Sequence, residues 1–163
     1  WLQGVRAKLG IPGSTDDAAD MALADAWLDL LQVGKVDYTL AWWHLADAAA
    51  GREELLAALV PDQPALAAWL AQWRARCNAG AAGRPEAIAE ARAEAMRRVN
   101  PWIIPRNHRV EEALAAAVEG DLQPFNDLLA AVRQPWRAEA ALAKYAEPAP
   151  AEVTAAYRTF CGT

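Results

Sequence analysis

The chain has 163 residues, of which 55% are hydrophobic, with 8 Trp against 2 Phe and 3 Tyr, a net charge of −5 and an isoelectric point near 5.0. That length suits one domain with a real core, and the acidic balance argues against a nucleic-acid-binding domain, which presents a basic face. Apolar runs are broken by Asp, Arg, Gln or Glu well before membrane-spanning length, and Trp1 opens the chain with no start Met, basic n-region or cleavage site, so the expectation is a cytoplasmic, bacterial-type protein piece cut from something longer.

Much of the hydrophobic fraction is alanine, and Gly, Ser and β-branched residues are sparse, a composition that favours helix. In chain order, Trp1, Val5 and Leu9 fall one turn apart, and Gly10 and Pro12 end that segment. A second helix opens with Ser14 or Thr15 as N-cap and with Asp16 and Asp17 in its first turn, where the helix dipole favours anions. Its apolar stripe is Ala24, Trp27, Leu28 and Leu31, and Gly34 ends it. Asp37 caps the next helix, which stops at Gly51; a short one, REELLAALV, ends before Pro61. Leu66, Trp69, Leu70, Trp73 and Cys77 then recur at i, i+3, i+4, i+7 and i+11, a single face. Pro85 starts a helix whose predicted inward face is Ile88, Ala91, Ala95 and Val99, and which ends at Asn100-Pro101. Beyond the elbow NPWIIPRN, one helix closes at Gly120. Asp121 caps another, with Phe125, Leu128, Leu129 and Val132 inward and Pro135 as its stop. RAEAALAKY adds a last short helix, and AEPAPAE reads as a stiff linker. No period-2 strand stands out. The expectation is an all-α, irregular bundle of about eight helices over 1–145, with a Pro-rich linker and cysteine-bearing tail over 146–163.

Chemistry is sparse. Ser14 is the only serine and sits in a cap context, so a serine triad is improbable. There is no phosphate-binding glycine loop and no H-E-x-x-H. His44 and His108 lie far apart, and His44 reads as a packed helix residue. Asp16, Asp17 and Asp20 cluster at a helix start, where capping explains them without catalysis. Arg97, Arg98, Arg106 and Arg109 bracket the elbow. They suit an anion site, since guanidinium forks bind such groups, but pairing with acids elsewhere, with Asn100 and Asn107 satisfying backbone groups, is the favoured reading. The Trp-rich faces, including Trp69 with Trp73, suit a core or an interface better than a ligand platform. Cys77 lies on an apolar face and reads as buried and inert. Cys161 lies outside any periodic segment, beyond the prolines; a Cys77–Cys161 bridge is disfavoured because the periodicity turns Cys77 inward. No residue is assigned as catalytic, cofactor-binding or metal-binding.

RAKLGI at 6–11, DYT at 37–39, Trp69 and Arg74, NPWIIPRN at 100–107, EGD at 119–121, LLAAVRQPW at 128–136, Tyr145 with Pro148 and Pro150, and the ending YRTFCGT follow one another in a specific order and spacing. Together they closely resemble the C-terminal part of the selenoprotein O (YdiU) family, over essentially the whole chain. The elbow and the cysteine third from the end are the most specific elements. The resemblance implies a protein-kinase-like (pseudokinase) enzyme that binds ATP with Mg²⁺ or Mn²⁺ and transfers AMP to hydroxyl side chains of protein substrates. It also implies that the kinase-like domain lies upstream in the same chain and carries the nucleotide- and metal-binding residues. This chain would then be inactive alone and hold neither ATP nor metal. Cys161 occupies the position of the family's selenocysteine or cysteine, which implies a redox or regulatory thiol for a partner in the upstream domain. Gly162 and Thr163 replace the Ser-Ser of many relatives.

A free-standing helical bundle or solenoid that binds a protein through a Trp-rich face is the competing expectation. It differs in requiring no upstream kinase-like domain. If the first reading holds, separation from that domain uncovers a Trp-bearing apolar face, and the separated piece is expected to self-associate.

Overall fold

The structure is a computed structural model that describes residues 1–79 and 85–156. Among these residues there are ten α-helices, one 3₁₀ turn and no strand, so the all-α expectation holds. The chain divides into two compact units, residues 1–101 and 102–163.

The first unit holds α1 (Leu2–Leu9), α2 (Asp17–Val33), α3 (Tyr38–Ala49), α4 (Glu54–Leu59), α5 (Gln63–Asn78) and α6 (Pro85–Arg97). Val5 and Leu9 of α1 are buried, whereas Trp1 is exposed. Gly10 ends α1 in the left-handed region with φ 71°, and the Ile11 N–H donates back to the Arg6 carbonyl at 2.9 Å. A Cβ on Gly10 would stand 2.7 Å from Arg92 Cγ and 2.8 Å from Met96 Sδ of α6. The residue therefore serves both backbone handedness and close packing.

Asp16, rather than Ser14 or Thr15, caps α2: its Oδ1 accepts from the Ala19 N–H at 3.1 Å. The Ser14 hydroxyl is committed elsewhere, to Asp20. Asp37 caps α3 as expected, accepting from Leu40 N–H at 2.9 Å, and Asp62 caps α5 by accepting from Ala65 N–H at 2.9 Å. The predicted α5 face is the observed one, with Leu66, Trp69, Leu70, Trp73 and Cys77 all buried.

Tryptophans form the middle of this core. Trp27 and Trp69 lie 4.5 Å apart by ring centroids, Trp69 and Trp73 stack at 5.8 Å, and Trp27 meets Trp42 edge to face at 5.9 Å. Trp69 Nε1–H donates to the Leu23 carbonyl and Trp73 Nε1–H to the Leu9 carbonyl, so these two rings also tie α5 to α2 and α1. The Trp-rich faces are core, as read.

The α6 face is not the predicted one. Ala91, Ala95 and Val99 are exposed, while Ala93, Met96 and the following Asn100 are buried. The helix packs on α3 and α1. Met96 sits against Gly10, and Asn100 reaches the end of α1 through its amide. In an alanine-rich helix several faces are about equally apolar, so the one large flexible side chain decides the rotation.

The second unit contains α7 (Asn107–Val118), α8 (Gln123–Val132), a 3₁₀ turn at Ala140–Leu142, α9 (Ala143–Ala146) and α10 (Ala151–Ala156). α7 and α8 pack as a helical hairpin across a short turn. Gly120 takes φ 91° there, and Asp121 Oδ1 accepts from the Gln123 N–H at 2.9 Å. The elbow is pinned to the end of α8: the Trp102 and Ile103 N–H groups both donate to the Pro135 carbonyl, at 2.7 and 3.0 Å. Ile103, Ala113, Leu128, Ala131, Tyr145 and Ala146 make a small core. Phe125, expected inward, is exposed, while Leu128, also expected inward, and Ala131 are buried. Helix α10 begins directly after Pro150, within the stretch read as linker and tail.

Candidate functional site

The densest polar constellation in the first unit is built around Asp20. Asp20 lies on the buried side of α2, where it is completely inaccessible. Three groups from three other segments converge on it. Arg6 of α1 donates through Nε at 2.6 Å, Ser14 through its hydroxyl at 2.9 Å, and Arg76 of α5 through Nε at 2.7 Å. Arg76 also donates to Ser14 Oγ at 2.8 Å and to the Asp16 carbonyl at 3.1 Å, while Arg6 bridges to Asp17. Burial pushes the Asp20 carboxyl up, but the bonds from Ser14, Arg6 and Arg76 outweigh it and hold the group below its ordinary value of 3.8. The carboxylate is thus ionised, with both guanidinium groups committed to it. Chemically this is a clamp between α1, α2 and α5 rather than an acid–base site. Asp20 was expected to be a surface residue of a helix start. Its two arginine partners lie 14 and 56 residues away in sequence, so only tertiary contact shows its role.

Three of the four arginines around the elbow, Arg97, Arg98 and Arg109, pair with acids. Arg97 binds Asp47, which also takes a contact from His44 Nδ1 at 2.9 Å; Arg98 lies 3.9 Å from Glu94. Burial pushes the Asp47 carboxyl up, and the His44 and Arg97 bonds bring it below the usual range. Arg109 pairs with Glu112 at 2.9 Å and Glu147 at 3.7 Å, and donates to the Lys144 carbonyl at 3.0 Å. Arg97 and Arg98 belong to the first unit, Arg106 and Arg109 to the second. Asn100 is buried, donating to the Lys8 carbonyl at 3.2 Å and accepting from Lys8 Nζ at 2.9 Å, which is the backbone-satisfying part expected of it. Asn107 begins α7. Lys8 also lies 5.2 Å from the Trp42 ring centroid, and burial lowers its pKa.

Cys77 is buried with a free thiol facing the Leu9 carbonyl at 3.9 Å. Burial pushes the thiol up to about 11, so at neutral pH it stays protonated and inert. Beside it an open hollow of about 640 Å³ is lined by Trp73, Arg74, Cys77, Ile88 and Arg92, among others. Arg74 binds Glu53 there, Arg52 binds Glu90 at 2.7 Å, and Arg92 donates to the Cys77 and Gly10 carbonyls. Among the described residues no cluster of three or more His, Cys, Asp or Glu is arranged to hold a metal ion. Arg6, Arg76, Arg97 and Arg109 each hold a carboxylate. Cys161 lies outside the described residues.

These features define an all-α helical region held by a Trp core and buried ion pairs. The sequence profile described as protein adenylyltransferase SelO matches residues 1–133. The chain belongs to the SelO family. It is 53% identical over 164 residues to the protein nucleotidyltransferase YdiU of Chromobacterium violaceum, an alignment that covers 100% of this chain and 33% of the relative. The protein nucleotidyltransferases YdiU of Mycolicibacterium paratuberculosis and Cereibacter sphaeroides are 46% and 44% identical, each over 100% of this chain and 31% of their own length. The chain therefore spans about a third of the length of these curated relatives.

Proposed function

We propose that this chain is the helical C-terminal region of a protein adenylyltransferase that transfers AMP from ATP to hydroxyl side chains of protein substrates. The observation that carries this reading is 44–53% identity along the entire chain to nucleotidyltransferases about three times its length. In the reaction a substrate hydroxyl oxygen bonds to the α-phosphorus of ATP, the bond to the β-phosphate oxygen breaks, and pyrophosphate leaves. A kinase-like part upstream in the same polypeptide holds ATP and the Mg²⁺ or Mn²⁺. This region contributes structure and regulation, with Cys161 on the 146–163 tail as a redox thiol. The ion-pair clamp on Asp20 and the inert Cys77 support a structural role for 1–101. A cytoplasmic location for the whole protein is part of this reading; among the described residues no helix is long and apolar enough to cross a membrane.

The test is AMP transfer with α-phosphate-labelled ATP. Full-length protein with Mg²⁺ or Mn²⁺ is expected to label itself or a protein substrate, and residues 1–163 alone are expected not to. Labelling by 1–163 alone would remove the assignment of the chemistry to the upstream part. For Cys161, oxidant and reductant are expected to change the labelling rate of the full-length protein but not of its Cys161→Ser variant.

A further inference from the structure

The helical hairpin of the second unit carries an apolar face that nothing described in the structure covers. Leu114 is 49% exposed, Val118 84%, Leu122 58% and Phe125 43%. Leu114 and Val118 are one turn apart on α7, about 100–140° round from the buried Ala113. Leu122 and Phe125 lie about 60–120° round, in the same sense, from the buried Leu128 on the α8 side. Because α7 and α8 run antiparallel, equal-sense offsets bring both pairs to the same side of the hairpin. The four side chains therefore form one patch, with the exposed acids Glu119 and Asp121 in the turn at its rim.

We infer that this patch is the docking surface for the remainder of the same polypeptide, through an apolar contact rimmed by basic side chains. The inference rests on the reading that the chain is part of a longer adenylyltransferase. Three observations select that occupant over a second copy. The relatives are about three times as long as this chain, so about two thirds of their length is available to cover it. From ordinary side-chain areas the patch exposes roughly 400 Å², about half of the ~800 Å² per partner that a stable complex of separate chains buries. An intrachain contact needs less, since tethering supplies an effective concentration in the millimolar range. The acidic rim also opposes self-pairing, because two copies would bring Glu119 and Asp121 toward their own kind.

The test places cysteine reporters in the full-length protein at Val118→Cys and Leu122→Cys, with Asp127→Cys, exposed on the far side of α8, as control. Maleimide labelling is read at each position by peptide mass spectrometry. The two patch positions are expected to label about tenfold more slowly than the control in native protein, and equally fast in urea. Equal native rates at all three positions would overturn the inference. So would slowing that appears only at concentrations where sedimentation shows a dimer, which makes a second copy the occupant. Slowing that vanishes when residues 157–163 are deleted would overturn it too, by assigning the patch to the tail. Labelling does not depend on catalysis. Protection without AMP transfer sinks the functional reading alone, and AMP transfer without protection sinks this inference alone.

Discussion

Asp20 shows how much one side chain carries in this region. A buried carboxylate is tolerated only when its oxygens are occupied by donors, and here two guanidinium groups and a hydroxyl occupy them. Asp20→Asn keeps the volume but leaves Arg6 and Arg76 without their counter-charge. It is expected to destabilise the first unit by about 2–4 kcal/mol, less than a fully buried pair because both guanidiniums still reach water. Urea unfolding followed by Trp fluorescence measures it; a loss under about 0.5 kcal/mol, the range of ordinary surface changes, would show that the clamp is dispensable. The pH dependence follows from the same geometry. The Asp20 and Asp47 carboxyls lie below 3.8 in the folded state, so their contribution is complete above 3.8 and lost as pH falls through the lower folded values. Cys77 gives a simpler residue-scale expectation. With its thiol raised to about 11 and buried, it should resist alkylation at pH 8 in native protein and react on unfolding, as read by mass spectrometry.

At the scale of elements, α6 is the informative case. Its sequence is amphipathic, but alanines on several sides left the rotation open, and the face chosen from Ile88, Ala91, Ala95 and Val99 turned out to be largely solvent-facing. The buried Met96, packed at Gly10, and Asn100, bonded to Lys8, set the real rotation. Met96→Ala is therefore expected to destabilise by about 2–4 kcal/mol, whereas Val99→Ala should stay within about 0.5 kcal/mol. A reversed order in thermal or chemical unfolding would restore the other face. By contrast α5 was fully legible. Its large side chains, Leu66, Trp69, Leu70 and Trp73, are confined to one stripe, so periodicity has only one solution. Asp37 was also legible, because a cap is a local interaction over three residues.

On the scale of the whole molecule, the two units carry different titrating groups. In the second unit His108 lies on α7 with a buried Nε2 that has no hydrogen-bond partner among the described residues, and burial lowers its pKa, followed by the Arg109 charge; Glu112 and Glu147 oppose that shift and Arg106 adds to it. Its contribution to stability is complete above 6.5 and falls as pH drops through the lower folded value. Hydrogen exchange resolved along the chain is expected to show α7 and α8 losing protection at a higher pH than α1, α2 and α5, which answer to Asp20. His108→Gln should remove the difference in the second unit, and a single common acid transition in both units would contradict the assignment.

What the sequence by itself determined is the class of the molecule. Spacing of Trp and Leu, caps and helix stops are local signals, and they sufficed for an all-α chain with an inert Cys77. The ordered motifs from RAKLGI to YRTFCGT sufficed for the family. Tertiary structure alone decided which polar residues are buried and which apolar ones are left outside. Asp20 became the centre of a clamp because Arg6 and Arg76 arrive from distant helices. Leu114, Val118, Leu122 and Phe125 became one exposed face because two helices fold back on each other. Both outcomes depend on long-range contact, and no local period encodes it.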